Sequence, residues 1–492
     1  MEKLPSRPLL LDGATGTRLL AAGMPWGVCP EAWVLEHPEV VRAIQRSYVE
    51  AGSEVLYAPT FGANPIRLAA FGLEGQMERM NRDLVSLARE ASGGQALVAG
   101  DISTAGELPE PFGELTYRDL VACYAVQAGA LRDAGADLLV CETFTSLLDA
   151  RAALLGARTA GLPVLVSVTA DEFGRTMMGS ETLACLIVMQ SLGAAAFGLN
   201  CGDGPEKMEF PIRELAAHAK IPVIAKPNAG IPSGQPPRYS LPPEQFAAGM
   251  QMLLDAGASV VGGCCGTDER HIALLRGLLD RRVRFGKEAP ASGGQISAFD
   301  GRISAPGGQV PASDERTSLF SGQPQISGGQ SPIPDEQISA LDGETPIPGQ
   351  QSLAPGGQGS ITDGQISLSG GQLPFSDERI PLSDGRRAYF LGEGFGLSAE
   401  IACGEDMGDA LLDAAREPGD AALIRVASPG DARLFAQNAH LLRKPAAFLA
   451  EDEEALAAAL FLYQGRAVVD ARSGVDPKRL AEIAVEYGAV VR

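Results

Sequence analysis

The first 287 residues predict a (β/α)8 barrel of the TIM type within an α/β protein. Eight short apolar segments recur along this part of the chain, and amphipathic helical segments separate most of them. Each segment is apolar throughout, as expected of a parallel strand that is buried on both faces. Eight such units in fewer than about 300 residues fit a closed barrel, whereas a doubly wound open sheet has no reason to stop at eight.

The eight predicted strands follow one another at regular intervals. No G-x-G-x-x-G motif follows the first of them, so a dinucleotide-binding Rossmann domain is disfavoured. In chain order the segments are PLLLDGATG, EVLYAPTFG, ALVAGDIS, DLLVCETF, VLVSVTAD, AAFGLNCG, PVIAKPNAG and VVGGCCGT.

The composition excludes several classes of protein. The chain has 492 residues, enough for two or three domains, with 61 acidic against 40 Lys and Arg side chains and no basic run. This charge balance disfavours nucleic acid as a partner. No apolar segment reaches the ~20 residues that span a bilayer, and the N-terminus lacks the pattern of a signal peptide. We therefore expect a soluble, cytoplasmic protein with no membrane partner and reduced cysteines.

Residues 288–386 have a different composition from the barrel segment. Gly, Pro, Ser and Gln dominate, and the words GGQ, QIS, SDER and DG recur imperfectly. Such a segment cannot bury enough apolar surface to offset the entropy of ordering it, which predicts a disordered linker. A short β-solenoid is the alternative because Ile or Leu recurs, but the spacing is irregular.

Residues 387–492 return to a β/α pattern of about a hundred residues. Predicted strands include AALIRVAS, PAAFLA, AVVDAR and GAVVR, with helices such as EDEEALAAALFLYQG between them. A whole barrel takes ~250 residues. This segment therefore predicts a small, partial α/β domain.

Chemically useful side chains follow the predicted barrel strands in order. In such a barrel the working groups lie where strands end and the following loops begin. A carboxylate at such an end could also be only a solvated loop charge. The candidates are Asp12 and the three residues after it, Phe61, Glu142, Asp171, Cys201, Asn228, and the adjacent pair Cys264 and Cys265.

Three of the eight cysteines are candidates for a metal site. Strands six and eight flank strand seven, so Cys201 is expected to face Cys264 and Cys265. Three thiolates and an open fourth position form a zinc site of the catalytic kind. We expect the glycines before the pair to let the strand end bend, so that both sulfurs reach one ion.

A buried free cysteine is more often a small apolar residue than a ligand. We interpret Cys123 and Cys185 in this way because both lie on predicted helical faces, and we assign no role to Cys29 and Cys403. Cys141 is left open, since it could simply pack beneath Glu142.

The thiolate set favours one kind of chemistry. Three thiolates give their negative charge to zinc, which makes it a poor Lewis acid toward water. Such a site suits the binding of a substrate thiol as a fourth thiolate, because coordination favours the deprotonated sulfur. The sequence therefore predicts S-alkylation of a thiol substrate.

These motifs resemble those of the homocysteine S-methyltransferases. The resemblance covers residues 5–285 and rests on DGATGT, PTFGAN, CETF, DEFGRTMMG, GLNCGDGPEKM, KPNAGIP and GGCCGTDERHI. Within the family, the likeness is to the homocysteine-binding barrel of cobalamin-dependent methionine synthase, with betaine–homocysteine methyltransferase more distant.

The resemblance implies a role for each candidate residue. It implies that Cys201, Cys264 and Cys265 bind Zn²⁺, and that Asn228 fills the fourth position before homocysteine displaces it. Glu142 would pair with the substrate amino group. The remaining implied substrate residues are Asp12, Gly13, Ala14, Thr15 and Phe61, together with Asp171, whose role the resemblance leaves open.

The C-terminal segment resembles part of the folate-binding barrel of methionine synthases. Gly394 and Gly396 replace the Arg and Asn of the family's G-E-R-x-N, and residues 424–427 replace its L-D-V-N. We therefore expect no binding of methyltetrahydrofolate, and either a docking module or a remnant. The cobalamin signature D-x-H-x-x-G is absent from the sequence. Methylcobalamin would then arrive on a separate corrinoid protein, which this segment could help to recruit.

The sequence leaves three functions open. The first is a zinc-dependent transfer of a methyl group to homocysteine, giving methionine, most simply from methylcobalamin on a corrinoid partner. The second keeps the zinc but takes the methyl group from S-methylmethionine or betaine, or delivers it to another thiol. The third is a non-catalytic accessory protein of a methyltransferase system, against which the complete set of site residues argues.

Overall fold

The structure is a computed structural model that describes residues 8–110, 113–234, 238–284, 379–392 and 394–492. Apart from its last eight residues, the predicted linker over residues 288–386 lies outside the described residues. Within those described ranges, no helix is long and apolar enough to cross a membrane.

Eight parallel strands confirm the predicted barrel. They form one sheet in the order β1-β8-β7-β6-β5-β4-β3-β2. Between the two end strands of this order, the Glu54 N–H donates to the Leu10 carbonyl over 2.8 Å, which nearly closes the barrel. The strands are β1 Leu9–Leu10, β2 Val55–Tyr57, β3 Leu97–Ile102, β4 Leu138–Phe144, β5 Val164–Val168, β6 Ala196–Cys201, β7 Val223–Pro227 and β8 Val260–Val261.

Helices connect these strands and begin at residues suited to helix starts. Thr116 and Ser146 accept hydrogen bonds from the backbone N–H groups of Asp119 and Asp149, which satisfies donors that have no partner within the helix. Five of the helices carry proline in their first turn. The helices are α1 Gly16–Ala21, α2 Pro30–Glu36, α3 Pro38–Glu50, α4 Pro65–Ala69, α5 Met77–Ser92, α6 Tyr117–Asp133, α7 Leu147–Arg158, α8 Thr182–Ser191, α9 Pro205–His218, α10 Pro243–Ala256 and α11 Glu269–Arg284.

The barrel has two apolar layers. Leu11, Tyr57, Val140 and Ile224 belong to a cluster of strand side chains that fills the barrel interior. A larger cluster lies between the outer face of the strands and the helices. Because the interior is packed, polar groups are accommodated at the carboxyl ends of the strands.

The C-terminal region is a half-barrel, in agreement with the predicted partial α/β domain. Five parallel strands lie in sequential order, and a two-stranded antiparallel hairpin precedes them. The elements are β9 Ile380–Ser383 and β10 Ala388–Leu391 in the hairpin, then β11 Leu397–Ala402, α12 Met407–Ala414, β12 Ala421–Val426, α13 Pro429–Asn438, β13 Ala446–Ala450, α14 Glu453–Leu462, β14 Val468–Val469, α15 Pro477–Glu486 and β15 Val490–Val491.

The hairpin, residues 380–391, covers the concave face of the half-barrel sheet. Leu382 and Leu391 pack in one apolar cluster with Leu423 and Val468. In a whole barrel the opposite strands would fill this space. The first hairpin strand lies inside the predicted linker, so ordered structure begins before residue 387. The prediction missed it because the Gly-, Pro-, Ser- and Gln-rich composition of residues 288–386 indicated a linker.

The barrel and the C-terminal region belong to one compact unit. Arg151 of α7 is fully buried, and its guanidinium donates to the carbonyl oxygens of Leu460 and Phe461 and to the Tyr117 hydroxyl, each over 2.7 Å. The two carbonyls lie in the last turn of α14, where helical carbonyls have no partner within the helix. Arg151 therefore joins the two regions through charge-assisted hydrogen bonds.

Replacing Arg151 with methionine is expected to lower the free energy of unfolding by about 3 kcal/mol, because buried carbonyls lose a charged donor. Thermal unfolding of the full chain should show a decrease in Tm of roughly 3–5 °C. Arg118→Met is the control, since Arg118 is exposed and lies over the face of the same Phe461 ring at 5.6 Å. Equal Tm values for the two variants would contradict the role given to Arg151.

Candidate active site

Three cysteine sulfurs meet at the carboxyl ends of the barrel strands. Cys201 is the last residue of β6, and Cys264 and Cys265 follow β8 in a loop. All three sulfur atoms lie within 4.8 Å of one another, and those of Cys201 and Cys264 are 3.1 Å apart. The structure thus brings together the three thiols that the strand order predicts.

The adjacent cysteines lie beyond the strand ladder. β8 ends at Val261, so the alternation of side chains along a strand does not apply to Cys264 and Cys265. The Cys264 N–H donates to the Pro227 carbonyl over 2.8 Å, and the Cys265 carbonyl accepts from the Ala229 N–H over 2.9 Å. These bonds hold the cysteine loop against the end of β7.

The glycines before the pair do not act as the bend that we expected. In this loop the positive φ belongs to Gly266, at 81°. A Cβ at Gly262 would lie 2.8 Å from the Leu11 Cβ, and one at Gly263 would lie 2.4 Å from the Thr267 Oγ1. Both glycines are therefore needed for close packing, and the chain turns after the cysteines.

Cys201 is held in an unusual backbone conformation. Among the described residues other than glycine, Cys201 and Thr143 have positive φ angles, of 61° and 65°. Such conformations cost about 1–3 kcal/mol each and persist where neighbouring groups fix them. Here the Asn200 side chain fixes both, because its Oδ1 accepts from the Thr143 N–H over 3.0 Å and its Nδ2 donates to the Thr143 Oγ1 over 2.7 Å.

Asn200 also contacts the sulfur cluster. Its Nδ2 lies 3.7 Å from the Cys201 sulfur and 3.9 Å from the Cys264 sulfur, and its Oδ1 accepts from the Ser167 hydroxyl over 2.9 Å. Asn200 was not among the predicted site residues. Its position next to Cys201 at a strand end was the signal available in the sequence.

Asn200→Ala is expected to lower the free energy of unfolding by about 3 kcal/mol, at about 1 kcal/mol for each lost hydrogen bond. Zinc affinity should fall about tenfold, as is typical when a group that orients a ligand is removed. Urea unfolding and competition with a zinc chelator measure the two effects. Ser167→Ala, which removes one of these bonds, is the control. If both variants hold zinc equally well, Asn200 does not orient the cysteines.

The sulfur cluster fits a single zinc ion. Tetrahedral zinc with Zn–S bonds of ~2.3 Å requires sulfur separations of about 3.8 Å. The observed separations, from 3.1 Å up to at most 4.8 Å, bracket that value. Hydrogen bonds from the thiols of Cys201 and Cys264 hold the pKa of Cys265 well below its usual range, with a further contribution from the Tyr239 hydroxyl. A lowered pKa favours the thiolate, which is the form of cysteine that binds zinc.

Asn228 lies beside the cysteine loop. Its side chain is buried, and its Nδ2 donates to the Gly202 carbonyl over 2.6 Å. Its Oδ1 has no hydrogen-bond partner. A buried amide oxygen without a partner is costly unless a cation or donor binds it, so Asn228 could supply a fourth ligand.

A second set of buried polar residues lies at the same end of the barrel. Asp12, Asp101, Glu142 and Lys226 are each at most 7% exposed. The Lys226 Nζ lies 3.6 Å from the Asp12 Oδ1 and 4.6 Å from the centre of the Tyr57 ring. Neither Asp101 nor Lys226 was predicted as a site residue, although both lie in predicted strand segments, as Asp12 and Glu142 do.

This pocket holds three carboxyl groups and one lysine. Burial raises the pKa of Asp12 to about 6 and that of Glu142 to about 7, although Lys226 opposes both shifts. One carboxylate oxygen of Asp12, of Asp101 and of Glu142 is buried without a hydrogen-bond partner. Since unpaired buried carboxylates are unfavourable, the pocket is suited to bind an ammonium group.

The loop after β1 joins this pocket to the cysteine loop. The Tyr48 hydroxyl donates to the Ala14 carbonyl over 2.6 Å, and a Cβ at Gly13 would lie 2.7 Å from the Tyr48 ring. The Ala14 N–H donates to the Thr267 Oγ1, and that hydroxyl donates to the Cys264 carbonyl. Gly13 and Ala14 are therefore fixed next to the cysteines, and Thr15 is half-buried at the start of α1.

The two other predicted residues lie nearer the surface. Phe61 is half-buried, with the Arg67 guanidinium 5.6 Å from its ring centre. Asp171 is exposed, unlike the buried carboxyl groups of the pocket, and its role as a substrate contact stays a prediction. Its Oδ1 accepts from the N–H groups of Phe173 and Arg175, so it shapes the loop after β5.

A cleft of about 430 Å³ lies beside the cysteine cluster. The loop after β5, residues 169–181 and named here the β5–α8 loop, forms one wall, and residues 202–208 form the other. Asp171, Glu172 and Asp203 give the cleft an acidic lining, together with Lys207 and Met177. Gly202, which directly follows Cys201, lines the cleft, whereas the three cysteines themselves do not.

The chain is similar in sequence and structure to known methyltransferases and methionine synthases. A family model described as homocysteine S-methyltransferase matches residues 9–279. The chain is 33% identical over 293 residues to the methionine synthases of Mycobacterium leprae and Mycobacterium tuberculosis, covering 55% of this chain and 24% of each relative. It therefore spans about a quarter of the length of these relatives. The homocysteine methyltransferase MmuM from Escherichia coli, in its metallated form, is similar with 27% identity and a TM-score of 0.47, over 55% of this chain and 96% of that one.

Proposed function

Because this chain belongs to the homocysteine S-methyltransferase family, we propose that it transfers a methyl group to the sulfur of homocysteine, with Zn²⁺ bound by Cys201, Cys264 and Cys265. The observation that carries the proposal is the meeting of three sulfurs within 4.8 Å of one another beside a pocket of buried carboxylates. Methionine is the product.

Zinc held by three thiolates supplies a site at which a substrate thiol is bound in its deprotonated, nucleophilic form. The residues of this chain position the rest of homocysteine. Glu142 would pair with the amino group, and the Asn228 Oδ1, which is buried without a hydrogen-bond partner, would offer a further ligand to the metal. The segment Asp12–Thr15 and Phe61 shape the amino-acid pocket. In the transfer, the sulfur–methyl bond forms while the bond between the methyl group and its donor breaks.

The donor that we propose is methylcobalamin carried by a separate corrinoid protein. The loops at the carboxyl ends of the strands expose large apolar side chains around the site, which suits a protein that covers the barrel mouth. Among the described residues these are Trp26, Leu108, Phe173, Met177, Met178 and Ile231. A small cationic donor, S-methylmethionine or betaine, is the second candidate, since the acidic side chains of the cleft favour a positive charge.

We do not assign a methyltetrahydrofolate site to the half-barrel. Arg425, at a position where the related folate-binding domains carry an acidic or amide group, is paired with Glu400 over 3.0 Å and with Glu451 over 2.8 Å. The hairpin fills the concave face of its sheet.

A donor panel on the zinc-loaded full chain tests the proposal. Purified protein is incubated with homocysteine and, separately, a methylcobalamin-loaded corrinoid protein, free methylcobalamin, S-methylmethionine, betaine and methyltetrahydrofolate. We expect methionine from the loaded corrinoid protein and none from methyltetrahydrofolate. Methionine from S-methylmethionine or betaine alone would replace the proposed donor by the second candidate. No methionine from any of them would contradict the proposed activity and favour an accessory protein.

A further inference from the structure

The hairpin of the C-terminal region lies against the barrel helices next to the cleft. Ala388 and Phe390 pack against the apolar core of the barrel, and the Phe390 ring lies 4.9 Å from the ring of His218 in α9. The hairpin thus contacts the half-barrel on one side and the catalytic barrel on the other.

The hairpin turn binds the end of the β5–α8 loop through three hydrogen bonds. The Glu181 N–H donates to the Arg386 carbonyl over 2.8 Å, and the Glu181 Oε2 accepts from the Ala388 N–H over 3.2 Å. The hydroxyl of Ser180, which is buried, donates to the Gly385 carbonyl over 2.9 Å. All three bonds use backbone atoms of the hairpin, so they depend on its presence and position.

Ser180 and Glu181 are also bonded to the part of the loop that lines the cleft. The Glu181 Oε1 accepts from the Arg175 guanidinium over 3.2 Å, and the Ser180 carbonyl accepts from the Thr176 N–H over 2.9 Å. Arg175 and Thr176 line the cleft beside Cys201. A continuous set of hydrogen bonds therefore joins the hairpin to the cleft wall.

We propose that Ser180 and Glu181 are positioning residues through which the C-terminal region holds the β5–α8 loop in place as the wall of the methyl-donor cleft. This inference rests on the proposed function, because it takes the cleft to be the path of the donor. The half-barrel then has a role that requires no bound pterin, because it keeps the hairpin docked on the barrel.

Glu181→Ala is the test, with Arg158→Met as the matched control. Arg158 donates to the Glu486 carbonyl over 3.1 Å, so it links the same two regions away from the loop. In the zinc-loaded full chain, Glu181→Ala should raise the KM for the methyl donor about fivefold, corresponding to about one lost hydrogen bond. The kcat, the KM for homocysteine and the zinc content should stay within about twofold. Glu181→Gln, which retains an acceptor for the Ala388 N–H, should recover most of the donor KM.

Hydrogen exchange of the β5–α8 loop tests the positioning role separately from the methyltransferase activity. Backbone amides of residues 171–178 should exchange faster in Glu181→Ala than in wild type, and at the wild-type rate in Arg158→Met. If the wild type methylates homocysteine but Glu181→Ala changes kcat and both KM values alike, positioning is ruled out. Equal hydrogen-exchange rates of the loop amides in Glu181→Ala and Arg158→Met would also contradict the positioning role, even if no donor supports activity. An inactive wild type with the expected exchange pattern would instead count against the proposed function alone.

Discussion

Cys264→Ser is expected to remove stoichiometric zinc from the full chain and to reduce methyl transfer to homocysteine by on the order of a thousandfold. The reason is that two thiolates cannot replace the three-sulfur cluster, in which the sulfurs lie within 4.8 Å of one another. Zinc content by atomic emission and methionine formation by mass spectrometry measure the two losses.

Cys185→Ala is the matched control for this change. Cys185 is another buried free thiol, and it lies on α8 away from the sulfur cluster. It should keep full zinc content. Stoichiometric zinc in Cys264→Ser, or loss of zinc in both variants, would show that these three cysteines do not form the metal site.

Homocysteine should bind about tenfold more tightly at pH 8 than at pH 6, because the carboxylate of Glu142 becomes ionised over this range. Burial, opposed by Lys226, raises the pKa of Glu142 to about 7. Below this pH the carboxyl is protonated and cannot pair with the substrate ammonium, so affinity increases as the pH increases through 7. Isothermal titration with homocysteine at a series of pH values measures this dependence.

Glu142→Gln separates this effect from the ionisation of the substrate thiol. The variant should bind homocysteine roughly a hundredfold more weakly at pH 8, since it loses a charge-assisted hydrogen bond of about 1.5–3 kcal/mol. Its remaining pH dependence should reflect the thiol and Asp12, whose pKa burial raises to about 6. An unchanged transition near pH 7 in this variant would mean that another group titrates there.

The strand pattern was sufficient to predict the barrel and the meeting of the cysteines. Parallel strands in a barrel end at the same face, so Cys201 and the Cys264–Cys265 pair had to lie close once β6, β7 and β8 were recognised. The prediction depended only on strand order. It did not require knowledge of any side-chain conformation.

The buried polar neighbours could not be predicted in the same way. Asn200 acquires its role from the positive φ angles of Cys201 and Thr143, and local sequence does not specify those angles. Asp101 and Lys226 belong to the site because the fold buries them in one pocket with the carboxyl groups of Asp12 and Glu142. Asp171 lines the cleft and organises an exposed loop, and its contact with substrate stays a prediction.

The hairpin of the C-terminal region could not be predicted from the sequence either. The alternation of strand and helix segments predicted parallel strands. The hairpin strand Ile380–Ser383 was not predicted, because it lies in a segment of low-complexity composition. Its pairing partner, Ala388–Leu391, follows after a short turn, but the barrel helices that the hairpin contacts are distant in sequence. We had considered this region as a possible recruiting module, and the contacts of Arg151 and Glu181 add a fixed structural role within the enzyme.

Zinc K-edge X-ray absorption on the zinc-loaded full chain tests the central claim most directly. Without homocysteine, we expect three sulfur neighbours of zinc at ~2.3 Å and one lighter oxygen or nitrogen neighbour. With saturating homocysteine we expect four sulfur neighbours. Three sulfurs both before and after homocysteine is added would contradict the claim that this site binds the substrate through its sulfur.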